Sequence, residues 1–65
     1  MTGYIITKQV LKRWVYYLEG LRSDGSPIWN GLKNNAKKMT MVNAMLVEKK
    51  LNEIFPSEVF EIIEG

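Results

Sequence analysis

Cysteine and histidine are both absent from this chain of 65 residues. Without cysteine there is no disulfide and no thiolate metal site; without histidine the commonest metal ligand and general base is missing. No apolar run approaches the roughly 20 residues that span a bilayer. The opening Met1-Thr2-Gly3-Tyr4-Ile5-Ile6 lacks the basic flank, long apolar core and small-residue cleavage site of a signal peptide. These absences point to a cytoplasmic protein with no membrane contact. Disorder is excluded as well, since 46% of residues are hydrophobic and proline occurs only twice. A single domain, residues 1–65, is expected. At this length folding buries only about 60% of the surface an unfolded chain exposes, so stability is marginal and association would add to it.

Catalysis has little to work with. Neither a thiol nor an imidazole arrangement exists, and Ser23, Ser26 and Ser57 belong to turns or strand boundaries. Glu58, Glu61 and Glu64 are spaced across both faces of a terminal strand, as solvated charges are. There is no phosphate-binding glycine loop and no metal-ligand cluster. The chain is therefore read as non-enzymatic, with no cofactor, metal or small-molecule substrate.

The local patterns give an order of elements. Tyr4 to Leu11 is β-branched and aromatic and reads as a strand, followed by a polar Lys12-Arg13 turn and a second strand from Trp14 to Leu21. Ser23-Asp24-Gly25-Ser26 suits a two-residue type I′ turn, which would place Ser23 opposite Ser26, Arg22 opposite Pro27, Leu21 opposite Ile28 and Gly20 opposite Trp29. Pro27 cannot donate to a further strand, so the third strand is an edge. Leu32, Ala36 and Met39 suit a short helical turn. Thr40 is an N-cap for a helix from Met41 to Phe55, stopped by Pro56, with Ala44, Val47, Leu51, Ile54 and Phe55 on one face. Ser57 to Ile63 closes as a strand. The expectation is an α+β domain, β-β-β-α-β, with sheet order 3-2-1-4, one amphipathic helix on one face, and the last strand parallel to the first through a right-handed crossover.

This arrangement leaves surfaces over. With the helix on the face of Trp14, Tyr16, Leu18 and Trp29, the opposite face exposes Val15, Tyr17, Leu21 and Ile28. On the helix, Val42 and Leu46 point away from the core. Contiguous apolar surface is the mark of a protein contact, so a protein partner or a homodimer is expected, with these six residues as its candidates. A second reading uses charge. The formal +2 divides into +5 over residues 1–38 (seven cations, two acids) and −3 over residues 39–65 (two cations, five acids). Lys12, Arg13, Lys33, Lys37 and Lys38, with the aromatics Trp14, Tyr16 and Tyr17, would suit phosphates and bases of a nucleic acid. The same +5 argues against a DNA mimic.

The succession Tyr4-Ile5-Ile6, Trp14-Val15-Tyr16-Tyr17-Leu18, Pro27-Ile28-Trp29, Ala36-Lys37-Lys38-Met39-Thr40 before a helix with Ala44, and Val59-Phe60-Glu61-Ile62-Ile63 resembles many short phage and prophage proteins. The resemblance covers nearly the whole chain, with Met39 where those proteins usually carry phenylalanine. It implies a small accessory protein acting in a host cell's cytoplasm, and no catalytic residue carries over.

Overall fold

The computed structural model describes residues 3–11 and 14–65. Its strands are β1 (Tyr4–Leu11), β2 (Trp14–Leu21), β3 (Pro27–Asn30) and β4 (Val59–Glu64), with a single 3₁₀ turn at Lys33–Asn35 and one helix, α1 (Met41–Ile54). They form one sheet in the order β3-β2-β1-β4, as expected. The Lys12-Arg13 turn lies outside the described residues.

All strand pairs are antiparallel, β4 with β1 included, which corrects the expected parallel crossover. The reason lies in residues 31–39, which do more than connect. After β3 this segment runs back beside β1 and β2. The Lys37 amide donates to the Leu18 carbonyl at 2.8 Å, and Met39 and Tyr4 exchange both of their backbone bonds, at 2.8 and 2.9 Å. Regular β1–β2 pairing stops at Thr7 opposite Tyr17, so below that pair the strands fork and residues 37–39 fill the fork. The chain thus reaches the Tyr4 end of β1 before the helix begins. The helix returns it to the other end, and β4 can only descend against β1.

The β2–β3 turn is also corrected. The Arg22 amide donates to the Ser26 carbonyl at 2.8 Å and the Gly25 amide to the Arg22 carbonyl at 2.9 Å, which makes Ser23-Asp24-Gly25 a three-residue loop. Within this loop only Gly25 has positive φ, +89°. A type I′ turn would force Asp24 into the left-handed region too. Asp24 instead keeps its ordinary backbone, and its carboxylate accepts the Ser26 amide at 3.0 Å and the Ser26 hydroxyl at 2.6 Å. The register moves by one residue: Leu21 faces Pro27 and Gly20 faces Ile28. A bulge at Glu19 then shifts the pairing by one residue more, so that Leu18 faces Trp29.

The core lies between α1 and the concave side of the sheet. Ile6, Leu18, Ala44 and Leu51 are buried, with Tyr4, Trp29, Met39, Val47, Phe60 and Ile62 packed around them. Trp29 and Phe60 belong to the two opposite edges of the sheet, yet their rings stack at 5.8 Å and 16°. The sheet is curled enough to bring its edges together over the core. Lys8 closes the cluster, its ammonium 5.4 Å from the Trp29 ring centre and 4.0 Å from Glu58. Thr40 caps the helix as expected, accepting the Asn43 amide at 3.2 Å. Because α1 packs on β4 and β1, Trp14 and Tyr16 stay exposed rather than joining the core, and so do Ile54 and Phe55.

Candidate functional site

The cleft between the β2–β3 hairpin and α1 begins with sequence parity. Residues of a strand alternate between faces, and an inserted residue reverses the alternation beyond it. The Glu19 bulge therefore turns Leu21 from the outer face, where it was expected, to the helix side. There Leu18, Gly20, Leu21, Lys37, Met39, Asn43, Leu46 and Val47 line a cavity of about 320 Å³. Farther along the helix, Asp24–Pro27 of the loop stand opposite Lys50, Ile54 and Phe55 across a second opening of about 220 Å³. Beyond Leu18 the hairpin arm opens away from the helix, at Gly20–Leu21 and again at Asp24–Pro27.

Apolar surface continues from this cleft over the helix. Leu21 is 47% exposed, Val42 67%, Met45 58% and Leu46 61%. On a helix, residues three and four apart are neighbours, so Met41, Val42, Met45 and Leu46 form one strip that joins the cleft at Leu46. The strip is bounded on one side by Lys37 on the cavity rim and on the other by Glu48, Lys49 and Glu53, which share a hollow with Met45 and Leu46. Val42 and Leu46 were legible as residues turned away from the core. Helical periodicity sets Met41 at the edge of the core face, yet it is exposed, and it gives Met45 no role; their i, i+4 spacing beside that pair was the available signal.

The other expected surface is smaller than the sequence suggests. Val15, Tyr17 and Ile28 share the convex face, without Leu21; only Val15 is exposed, and Tyr17 and Ile28 are half-buried. Ile5 on that face is only 1% exposed, because Lys33, Asn34, Lys38 and Gly65 gather over it. Thr7 beside it is buried with its hydroxyl donating to the Glu61 carbonyl at 3.3 Å. The 3₁₀ turn and the fork-filling segment do for the convex face part of what α1 does for the concave one.

The basic set is divided. Lys33 and Lys38 come together over Ile5, Lys37 lines the separate cleft, and Lys12 and Arg13 lie outside the described residues. The aromatics part as well, Tyr16 to the concave side and Tyr17 to the convex one. No helix among the described residues is long and apolar enough to cross a membrane. Comparison with protein-family models, curated proteins and solved structures finds no match to this chain.

Proposed function

We propose that the protein works by binding another protein through the strip of Leu21, Met41, Val42, Met45 and Leu46, and that it performs no chemistry of its own. The observation that carries this reading is the strip itself: five large apolar side chains, contiguous, exposed and rimmed by charge. Together they leave on the order of 500 Å² open, the upper range for an apolar patch on a monomer. A protein surface is the partner that covers such a patch, because it supplies apolar area in the middle and polar groups at the rim. An accessory role of the kind the short phage proteins suggest needs no more than this. Among the described residues Lys37 lies apart from Lys33 and Lys38, which weakens the nucleic-acid reading, since it asks for one continuous electropositive track.

Site-specific photo-crosslinking tests the assignment. A photo-reactive side chain at position 46 should crosslink to protein in extract of the source cells, Val42→Asp should abolish the product, and the same probe at position 15 should give little. Equal yields from positions 15 and 46, or crosslinks chiefly to nucleic acid, would overturn it.

A further inference from the structure

We propose that the outer edge of β4 binds a strand of another protein, an extended basic segment with a cation at every third residue. This site is separate from the strip on α1 and stands without it. Hydrogen-bond parity places it. In an antiparallel pair the bonded residues alternate, and the Gly65 amide donates to the Gly3 carbonyl at 2.8 Å. In the same register Ile63, Glu61 and Val59 turn their backbone groups to Ile5, Thr7 and Gln9. Phe60, Ile62 and Glu64 therefore turn theirs outward, where β4 ends the sheet. Among the described residues no other group hydrogen-bonds to these three amides or carbonyls. The opposite edge is protected and this one is not. On β3 the Ser26 carbonyl is bonded to Arg22, so Pro27 and Trp29 face outward, and Pro27 has no amide to offer. β4 runs six residues without a bulge, a proline or a lysine, the devices that close an edge to pairing.

Charge selects the strand. Glu58, Glu61 and Glu64 recur at every third residue, and residues 57–65 contain no Lys or Arg. Strand alternation sets Glu61 on the convex face and Glu64 on the concave one, with Val59, Phe60, Ile62 and Ile63 between the acids. A strand laid antiparallel along the edge meets these residues one for one. Cations opposite the glutamates, with two apolar residues between successive cations, match the edge on both faces. Glu58 already lies 4.0 Å from Lys8, which leaves Glu61 and Glu64 as the stronger partners. A second copy of β4 fits worse. Centred on Ile62, the register of greatest overlap, it would set the two Glu61 diagonally on one face, about 7–8 Å apart. Glu64 of each copy would add to that repulsion, with no cation of either β4 to offset it.

Amide NMR of the full chain tests this, with a capped seven-residue peptide titrated to about 1 mM at low salt. The peptide carries lysine at its first, fourth and seventh positions and valine between. The Phe60, Ile62 and Glu64 amides should exchange fast in the free chain, then shift and become protected as peptide is added. The Glu61 and Ile63 amides, already bonded to β1, should be protected throughout. Methylating the peptide nitrogens at positions three and five, which face Ile62 and Phe60, should abolish binding. Glutamate in place of the three lysines should weaken it about tenfold or more, and added salt should weaken the lysine peptide. Glu61→Lys and Glu64→Lys should each raise its Kd roughly three- to tenfold. Both residues are exposed, and circular dichroism verifies that each variant is folded. Outward amides that do not respond at about 1 mM peptide overturn the proposal, as does equal binding of the methylated peptide. Equal binding of the glutamate peptide overturns the choice of a basic strand. If the same amides shift with protein concentration alone, the occupant is a second copy and the proposal falls. Crosslinking from position 46 reads the strip separately and is unaffected by any of these outcomes.

Discussion

On one side of the sheet, β1 and β4 pair through six consecutive residues, from Tyr4 with Glu64 to Gln9 with Val59, and α1 packs over both. On the other side, β2 and β3 meet in four pairs broken by the Glu19 bulge and end at an edge that begins with Pro27. The regular side holds Ile5 and Ile6, both fully buried, while the bulged side contributes Leu18 and a half-buried Trp29 to the core and leaves Leu21 in the open cleft. The difference assigns separate tasks to the two regions. Unbroken register under a helix gives the apolar area that a chain of this length needs for folding. A bulge and a short edge strand forgo some of that area and open a cleft between the arm and the helix.

Truncation at the two sites separates these tasks most strongly. Ile6→Ala removes three buried carbons between β1 and α1 and should cost about 3 kcal/mol, the middle of the range for such a change. Against a total stability of about 5 kcal/mol for a small domain, that leaves a substantially unfolded chain at moderate temperature. Leu21→Ala, at a half-exposed position beside an open cavity, should cost under about 1 kcal/mol. Urea denaturation followed by circular dichroism, at the lowest workable protein concentration so that association contributes least, reads both. A Leu21→Ala loss as large as that of Ile6→Ala would mean that the hairpin arm is part of the folding core and would break the comparison.

Two glycines sharpen it further. A Cβ on Gly3 would lie 2.7 Å from the Lys38 Cβ, which is the root of that side chain and cannot swing aside. Gly3 also accepts the Gly65 amide at 2.8 Å, so a forced shift at the fork disturbs the end of β4 as well. Gly3→Ala should cost roughly 1–3 kcal/mol, as overpacking does. Gly20, next to the bulge, meets nothing within 4 Å and has no left-handed backbone, so Gly20→Ala should be neutral or stabilise by a few tenths of a kcal/mol. Thermal melts of both variants against wild type make the measurement. Equal destabilisation would place the tight packing in both regions.

The parts of the fold that sequence alone discloses are those governed by neighbours in the chain. Strand composition, the Thr40 cap, the Pro56 stop and the edge position of Pro27 all follow from local chemistry, and together they imply the sheet order. The direction of β4 does not, because it depends on residues 37–39 entering the fork between β1 and β2. That insertion is made by backbone hydrogen bonds, to which Lys37-Lys38-Met39 contributes no alternation or propensity. The bulge is equally silent, since Glu19 is an ordinary strand residue and its extrusion is set by a three-residue loop on one side and the seating of Trp29 on the other. One inserted residue moved Leu21 across the sheet and with it the candidate site. Composition favours Trp14 and Tyr16 for the core, but which strands a helix covers is decided by where the chain enters it. Val42 and Leu46 were legible because helical periodicity survives any tertiary arrangement.

The smallest effect belongs to the loop that creates the offset. Hydrogen bonds from the Ser26 hydroxyl, and then from the Ser26 amide, hold the Asp24 carboxyl below its ordinary value of 3.8. A carboxylate favoured by folding contributes stability that is fully present above the unfolded value and is lost as pH falls through the lower folded one. Asp24 is exposed, so its effect on global stability is slight and is better read locally. The Ser26 amide resonance, followed by NMR in acid, should titrate with a midpoint below 3.8, and Asp24→Ala should remove that titration while Ile6 and its neighbours keep their shifts. In the same variant the hairpin amides should exchange faster with solvent than in wild type, while those of β1 and β4 are unchanged, because the loop opens without the core. A Ser26 midpoint at the ordinary carboxylate value would show that Asp24 does not set the three-residue loop. Faster exchange across β1 and β4 would show that the arm and the core open together, and the two regions would then be one cooperative unit.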